Sequence, residues 1–462
     1  DVFYPANTEQ GFKANGRAIV TNAGIKKLSG EAFLTYTNSW KGGHRLKVLA
    51  GSTLETYNNN TVRTETQNFP SLNLGVNGLG MGVTPQIPTS SIVEWNMVSF
   101  LARAEYNYKE RYLLTASYRA DGSSRFGAGN KWAGFPSVGL AWRINEESFV
   151  KDLGVFYNLK LRFGYGRSGN TAIPSYRSLS TIASSFYPMY GSDLSYGASI
   201  DRPANPSLRW ETTDMVNLGL DMSFFKNSLD VSMDFYVKKT SDMLLNMPIP
   251  SFGAFPNSPF FNAGDLKNTG FEIVVNYRNQ IGKDFNYNVG LNMSTYKTEV
   301  TKLTSEYLSG NTSRTYVGGP IGRFWGYKQI GIFQNQEEID NYVDKNGTKI
   351  QPNAQPGDFK FAKLGESGEL NDDDDRTFIG DPNPDLIYGF NLGFSYKNFD
   401  VSMAFQGTIG NDIWNVAKGS LASAGRQNAL ADAYTKAWTK DGDLDAVYPR
   451  ITNSDSCLLY TS

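Results

Sequence analysis

The stretch DLIYGFNLGFSYKNFDVSMAFQG, residues 385–407, carries a large apolar or aromatic side chain at almost every second position on both sides of a Lys397-Asn398 turn. The positions between them are mostly Gly, Asn, Ser and Asp. Because successive side chains of a strand point to opposite faces, this pattern predicts a hairpin with one apolar and one polar face. The predicted apolar face contains Tyr388, Phe390, Leu392 and Phe394, and the predicted polar face contains Asn391 and Ser395.

Composition does not separate a soluble protein from a membrane β-protein. Aromatic residues make up 14% of the 462 residues, and the formal net charge is −1. This near-neutral balance gives no electrostatic case for nucleic acid as a partner. No run of about 18 apolar residues predicts a membrane-spanning helix. A β-barrel exposes only alternate residues to lipid, however, so the mean hydropathy of −0.40 is compatible with one.

The C-terminal residues differ from the rest of the chain. Residues 454–462 contain the only cysteine, Cys457, and look like translated adapter sequence, so we expect a non-native tail there. The rest of the chain then has no disulfide or cysteine–metal site. His44 is the only histidine, and it begins a strand beside a predicted short turn. We therefore expect no enzymatic activity, no catalytic residue, no metal and no cofactor.

The connections between about 13 predicted strands alternate in length. Short turns are predicted at 40–44, 109–110, 145–156, 226–227, 280–283 and 397–398, and long segments at 58–91, 122–134, 170–208, 240–266 and 298–385. Short turns at one end and long loops at the other are typical of outer-membrane barrels. A strand of a soluble sheet is the alternative for any single segment. The alternation favours an all-β transmembrane antiparallel barrel, whose apolar face meets lipid and whose polar face lines a lumen.

Six segments together point to one protein family. They are YRADGSSRFGAGNKWAGFPSVGLAWRI (118–144), LKLRFGYGRSGN (159–170), NPSLRWETTDMVNLGLD (205–221), NAGDLKNTGFEI (262–273), GGPIGRFWGYKQIGIFQNQEEI (318–339) and the run from Asp375 to Gly407. These segments resemble SusC-like (SusC/RagA) TonB-dependent transporters of Bacteroidota. The resemblance implies an N-terminal plug, a barrel of about 22 strands, a SusD-like lipoprotein lid, a TonB complex and a location in the outer membrane. Relative to that pattern, we expect residues 1–453 to be part of the barrel, incomplete at both ends and without the plug.

The same resemblance implies nutrient import, of oligosaccharides or else of peptides. Flat sugar faces pack against aromatic rings, so the candidate substrate-binding residues are aromatics of the long loops. These are Tyr187, Tyr190, Tyr196, Trp325 and Tyr327, with Phe252, Phe255, Phe260 and Phe261 as further loop aromatics. Each could instead pack within its loop or contact the lid. Two other functions stay open: a surface glycan-binding or adhesion protein, and a siderophore or vitamin receptor.

The segment GYGRSG matches the dinucleotide-binding pattern G-x-G-x-x-G at Gly164, Gly166 and Gly169. Pro174 follows where the phosphate-binding helix would have to grow, which argues against such a site. We interpret the three glycines as small residues at the end of a strand that bends into a loop.

The segment KLGESGEL (363–370) aligns with an EF-hand-like D-x-N-x-D-G segment that many SusC-like proteins carry. Lys363, Gly365 and Ser367 stand at the three ligand positions, where calcium would need carboxylates and amides. We therefore expect the acidic run 371–376 to be a solvated loop and not a calcium site.

Overall fold

The computed structural model describes residues 1–186, 189–190, 193–194, 197–247, 257–366, 368–372, 374–422 and 429–451. Its first strands are β1 Val2–Tyr4, β2 Arg17–Trp40, β3 His44–Gln67, β4 Thr84–Pro85, β5 Thr89–Tyr108, β6 Tyr112–Ser123, β7 Trp132–Arg143 and β8 Phe156–Asn170. Next come β9 Thr181–Phe186, β10 Met189–Tyr190, β11 Asp193–Leu194, β12 Gly197–Arg202, β13 Glu211–Phe224, β14 Leu229–Ser241, β15 Leu244–Asn246, β16 Phe260–Asn262, β17 Gly264–Ile281 and β18 Phe285–Leu303. The last are β19 Tyr307–Ser309, β20 Ser313–Tyr316, β21 Arg323–Tyr327, β22 Gln329–Ile332, β23 Phe359–Phe361, β24 Arg376–Gly380, β25 Leu386–Tyr396 and β26 Phe399–Ile409.

The helices are short. They are α1 Glu9–Phe12, α2 Ser148–Lys151, α3 Gln336–Asp340, α4 Val416–Ala422 and α5 Ala431–Thr435, with 3-10 turns at Gly75–Met81 and Ile144–Glu146. Within the described ranges, no helix is long and apolar enough to cross a membrane.

The chain forms two compact units, Asp1–Gly219 with Lys238–Gly264, and Leu220–Val237 with Asp265–Ser462. In the first unit the long strands hydrogen-bond in the order β1-β2-β3-β5-β6-β7-β8, and β4 pairs with β3. In the second the order is β17-β18-β25-β26. With β4, β13 and β14 included, fourteen strands of the described chain belong to antiparallel sheet. Apart from β4, which pairs with β3, neighbouring strands follow the chain order. The predicted all-β antiparallel class is confirmed.

Short turns and long connections alternate as predicted except around β7, where the connection before the strand, 124–131, has 8 residues and the turn after it, 144–155, has 12. The short turns are 41–43, 109–111, 144–155, 225–228, 282–284 and 397–398, and the long connections are 68–88, 124–131, 171–210, 242–263 and 304–385. Gly42 and Gly43 have φ of 93° and 89°, and Lys109 and Glu110 both have φ of 55°. Left-handed backbone of this kind lets a tight hairpin follow the twist of its strands.

The strands near the N-terminus are longer than predicted. The segments 15–24 and 28–40 form one 24-residue strand, β2, and β3 continues to Gln67 through the expected loop at 58–67. β2 and β3 pair without interruption from Arg17↔Gln67 to Trp40↔His44, and β3 pairs with β5 as far as Arg63↔Thr89. Pairing on both sides satisfies the backbone of the poor strand formers at 58–60, so tertiary context overrides local propensity.

Register joins β18, β25 and β26 into two continuous faces. On the apolar face Val289 pairs with Leu392 and Leu392 with Met403, and Leu291 pairs with Phe390 and Phe390 with Phe405. On the polar face the β18–β25 pairs are Asn288↔Gly393, Gly290↔Asn391 and Asn292↔Gly389. The two sets of side chains predicted from the sequence therefore lie on opposite faces of the sheet.

Each of these polar pairs sets one asparagine against one glycine. A methyl group placed on Gly389 would lie 2.3 Å from Asn292 Oδ1, and one placed on Gly393 would lie 2.4 Å from Asn288 Oδ1. The amide oxygens of Asn292 and Asn288 therefore occupy the space beside Gly389 and Gly393, which a larger residue at either glycine would need.

A row of aromatic rings crosses the first unit beside its short turns. The ring centroids of His44 and Tyr108 are 4.6 Å apart, those of Tyr108 and Tyr112 are 6.3 Å apart, and those of Tyr112 and Trp142 are 6.4 Å apart. These residues pair directly across β3, β5, β6 and β7. We call them the aromatic row. The row lies on the same face as Leu114 and Leu140, and these two leucines are two residues further from the turns than Tyr112 and Trp142.

The long connections of the first unit close over an apolar core. Phe126, Phe135, Ile173, Leu208 and Trp210 are all buried there, and Trp210 Nε1 donates a hydrogen bond to the Lys131 carbonyl. Gly169 lies inside β8 at this point, and a methyl group on it would lie 2.3 Å from Phe135. Gly164, Gly166 and Gly169 lie within the last seven residues of β8, which ends at Asn170 before the connection 171–210, so the interpretation as small residues at a strand end is confirmed, and close packing requires the last of them.

Candidate functional site

The connection 304–385 between β18 and β25 is the longest in the second unit and contains two sheets of its own. One has the order β19-β20-β21-β24, and the other pairs β22 with β23. Two predicted substrate-binding residues, Trp325 and Tyr327, both lie on β21. Residues two apart on a strand share a face, so their different surroundings come from what packs against each.

Trp325 is part of a packed cluster of aromatic rings. Its ring centroid lies 5.0 Å from that of Phe378, edge-on, and 5.8 Å from that of Tyr316. The Arg314 guanidinium lies 4.7 Å from the Trp325 ring and 4.2 Å from the Tyr307 ring, so it is stacked between them. These contacts pack Trp325 against other residues of its own loop, which is the alternative considered for every loop aromatic.

Tyr327 has one side in a polar network. Its hydroxyl donates a 2.6 Å hydrogen bond to Asp372 Oδ1, and the Arg376 guanidinium contacts both that carboxylate, at 2.7 Å, and the Tyr327 ring, at 5.1 Å. Burial and the bond to Asp372 raise the pKa of Tyr327 to about 12. Its hydroxyl is therefore protonated throughout the physiological range, and it holds the Asp372 segment in place as a donor.

The other side of Tyr327 lines a cavity of about 250 Å³. The buried side chains of Ile350, Phe359 and Phe361 form its apolar floor, and the Phe361 and Tyr327 rings are 5.5 Å apart. Asn353 and Glu369 contribute polar groups to its lining. A few polar groups around an apolar, aromatic floor are characteristic of small-molecule sites. We call this space the Tyr327 cavity.

Gln351 braces the floor of the cavity. Its side-chain amide donates to the Phe359 carbonyl at 3.1 Å and accepts from the Phe361 N–H at 2.9 Å. Both polar atoms of the amide are thus engaged by β23. Gln351 fixes the two phenylalanines in place as a structural residue of the cavity.

The rim of the cavity depends on a fully buried carboxylate. Asp375 accepts hydrogen bonds from the backbone N–H groups of Leu364, Gly365 and Asn371 at 2.9 to 3.0 Å, and from Lys363 Nζ at 2.7 Å. Burial opposes ionisation of Asp375, but these donors outweigh it and hold its pKa below the usual value. Lys363 Nζ also donates to the carbonyl of Glu369, which fixes the rim.

Within the acidic run, Asp372 and Asp374 are exposed as expected of a solvated loop, but Asp375 departs from that expectation because it is inaccessible to water. A carboxylate buried among backbone donors needs a compensating cation, and the Lys363 ammonium supplies it. In the part of the chain that the structure describes, no group of three or more His, Cys, Asp or Glu side chains is placed to hold a metal ion.

The other predicted site aromatics are distributed differently. Tyr187 and Tyr196, like Phe252 and Phe255, lie outside the described residues, and Tyr190 is described only through its backbone, which pairs with Asp193 in β10–β11. Phe260 packs against the apolar core and beneath the Arg177 guanidinium, while Phe261 is partly exposed on β16. The structure brings Trp325 and Tyr327 together on β21 and sets Tyr327 against the cavity described above.

The sequence did not point to Phe359, Phe361 or Glu369. The Phe-Lys-Phe alternation at 359–361 is a short strand signal that could have indicated the floor. No local pattern identifies Glu369 or the Lys363–Asp375 pair, since partners 12 residues apart meet only after the loop folds.

Comparison with known proteins identifies the family to which most of the chain belongs. Residues 3–440 match the family described as TonB dependent receptor-like, beta-barrel. The chain belongs to the TonB-dependent receptor β-barrel family. Its predicted location follows, because proteins of this family are outer-membrane proteins.

Relatives of this TonB-dependent receptor chain confirm its SusC-like character. TonB-dependent receptor P3 of Formosa agariphila is 33% identical, over 98% of this chain and 44% of its own length. TonB-dependent receptor SusC of Bacteroides thetaiotaomicron is 30% identical, over 76% of this chain and 36% of its own length. The solved RagAB peptide transporter superposes with a TM-score of 0.75 at 26% identity, covering 94% of this chain and 47% of that one. The chain therefore spans less than half the length of these relatives.

Proposed function

We propose that this TonB-dependent receptor chain takes part in energised import of an oligosaccharide across the outer membrane, and that the Tyr327 cavity binds one sugar unit. The observation that carries the proposal is the lining of the cavity. A sugar ring has a flat apolar face and a hydroxylated edge, which match the aromatic floor around Phe361 and the polar groups of Asn353 and Glu369. The cavity volume of about 250 Å³ suits a group of that size.

The proposal includes two protein partners, a SusD-like lipoprotein lid over the extracellular mouth and a TonB complex that supplies energy. Similarity to the SusC and RagAB proteins supports both. Tyr187, Tyr190 and Tyr196 are proposed as a second group of substrate contacts, because they cluster in the connection between β8 and β13. Trp325 is proposed to act indirectly, through the packing of the segment that carries Tyr327.

A peptide is the second candidate substrate. The observation that favours it is the structural similarity to a transporter described as importing peptides. Peptide side chains would use the same apolar floor, with the Glu369 carboxylate available to a cationic group.

Native mass spectrometry of the full-length transporter, purified with its lid protein, tests the proposal. Bound species separated by the mass of one sugar residue are expected, and Tyr327→Ala should remove them while the barrel stays assembled. Trp142→Ala, in the aromatic row, is a matched control that should keep them. Species separated by amino-acid residue masses would select the peptide instead, and unchanged binding by Tyr327→Ala would rule out this cavity.

A further inference from the structure

The turn between β7 and β8, residues 144–155, exposes an unusual amount of apolar surface. In α2 and the turn that continues it, Val150 is buried, whereas Phe149 and Leu153 are 62% and 61% exposed. Residues four apart in a helical turn lie on one side, so these two form a pair. Val155 is 54% exposed just beyond them. Contiguous exposed apolar residues of this kind mark an interaction surface.

The aromatic row shows where this turn lies relative to lipid. Tyr112 Oη and Trp142 Nε1 both donate hydrogen bonds to Glu147, at 2.8 and 3.3 Å. Their rings lie on the apolar face, with Leu114 and Leu140 further from the turn. Tyr and Trp rings with an apolar body and a polar end directed to water are characteristic of the membrane interface. Glu147 therefore marks the aqueous edge, and α2 begins at the next residue.

Charges in the turn are already paired. Arg111 contacts Glu147 at 3.2 Å, while Arg143 and Lys151 both contact Glu146, at 3.2 and 2.9 Å. The pKa of Glu147 is held below its usual value by the hydrogen bonds from Tyr112 and Trp142. Counting Asp152, three cations and three carboxylates lie in or beside the turn, so it offers little net charge to anionic lipid headgroups. Its exposed chemistry is apolar.

We propose that residues 144–155 form an interfacial foot, in which Phe149 and Leu153 insert into the headgroup and upper acyl layer of the phospholipid leaflet beside the short turns. Continuity with the lipid-facing aromatic row identifies lipid as the occupant. Strand β8 places Leu161 opposite Trp142, so Tyr157 and Val155 lie four and six positions past the row, whereas α2 begins directly after Glu147, which is bonded to the row. Apolar side chains next to a polar segment bind at this depth of a bilayer.

Site-directed fluorescence on the full-length transporter in phosphatidylcholine vesicles tests the foot. A bimane fluorophore is attached at Phe149→Cys or Leu153→Cys, and the lipids carry a nitroxide quencher near the headgroup. Quenching is expected to exceed that at Asp152→Cys, an exposed position in the same turn, by about twofold or more, since only an inserted group meets the quencher often. Raising the salt concentration should leave the difference unchanged.

Equal quenching at all three positions would overturn the proposal. So would bimane at Phe149 and Leu153 that is shielded from both lipid quencher and aqueous iodide, because another protein segment would then cover the surface. Heat-modifiable migration on gels verifies that each variant carries an assembled barrel.

Discussion

The aromatic row beside the short turns and the ring cluster around Trp325 contain the same residue types but are organised differently. In the row, neighbouring rings lie nearly parallel, with interplanar angles of 14° to 32°, and Tyr112 remains 46% exposed. Around Trp325 the Phe378 ring packs edge-on at 78° and an arginine fills the remaining face. The residues of the row are partly exposed and need lipid to cover them. The Trp325 ring is packed against other protein groups. Aromatic content alone therefore does not identify a binding site, and Tyr327 stands out because a cavity adjoins it.

The largest expected effect concerns the self-contained region. Lys363→Met should destabilise the 363–376 segment by about 3 to 5 kcal/mol, because it leaves the buried Asp375 carboxylate without its cation. Hydrogen exchange of the full-length protein should show faster exchange at Leu364, Gly365 and Asn371. Lys345→Met removes an exposed ion pair with Glu366. It should change the free energy of opening of the segment, as measured by hydrogen exchange, by less than about 0.5 kcal/mol. Equal effects of the two variants would contradict the buried pair.

Trp325→Ala should lower the stability of the connection 304–385 by about 3 kcal/mol, which is the lower end of the range for removing a large packed ring. Tyr327→Ala should cost less stability yet abolish ligand retention. Hydrogen exchange and native mass spectrometry on the same samples separate the two effects. The distinction between packing ring and cavity ring fails if both variants lose stability and ligand in parallel.

In the strands, stability should depend on which face is changed. Leu392→Arg is expected to destabilise the barrel in lipid by about 2 kcal/mol or more, because its face meets hydrocarbon. Asn391→Arg, one residue away on the polar face, should have little effect. Urea unfolding in vesicles measures both, and similar losses would refute the assignment of the faces.

The smallest effect is expected in the aromatic row. Tyr112→Phe removes the hydrogen bond to Glu147 and should lower stability in vesicles by about 1 kcal/mol. Tyr108→Phe is the control, since its ring stacks on Tyr112 in the same row. A larger loss for Tyr108→Phe, which keeps the stacked ring, would mean that the Tyr108 hydroxyl and not the bond to Glu147 stabilises the row.

Acid should affect the 363–376 segment selectively. The pKa of Asp375 is lower in the folded protein than in the unfolded chain. Its contribution to the stability of the segment is therefore fully present above the unfolded pKa of about 3.9, and it is lost as the pH falls through the folded pKa. Exchange at Gly365 should therefore accelerate below about pH 4, and Asp375→Asn should remove that dependence. An unchanged acid response in the variant would assign it to another group.

Sequence periodicity predicted the hairpins well where both faces alternate cleanly. The β25–β26 hairpin and its Lys397-Asn398 turn agree with the structure. It failed at 58–67, where a run of asparagines conceals a strand held by neighbours on both sides. For the site, composition indicated loop aromatics but could not rank Trp325 against Tyr327, because the Phe378 and Arg314 contacts of Trp325 arise from distant segments.

The asparagine–glycine pairs of β18 and β25 have a consequence for the movement of cargo. In an outer-membrane barrel the polar face lines the interior. The amides of Asn292 and Asn288 lie directly beside Gly389 and Gly393, so the polar face repeats similar hydrogen-bonding groups at each register step. Under the proposed import function, a hydroxylated solute on this face would exchange one weak contact for an equivalent one. Alanine at either glycine would push the opposing amide away from the sheet and break this repetition.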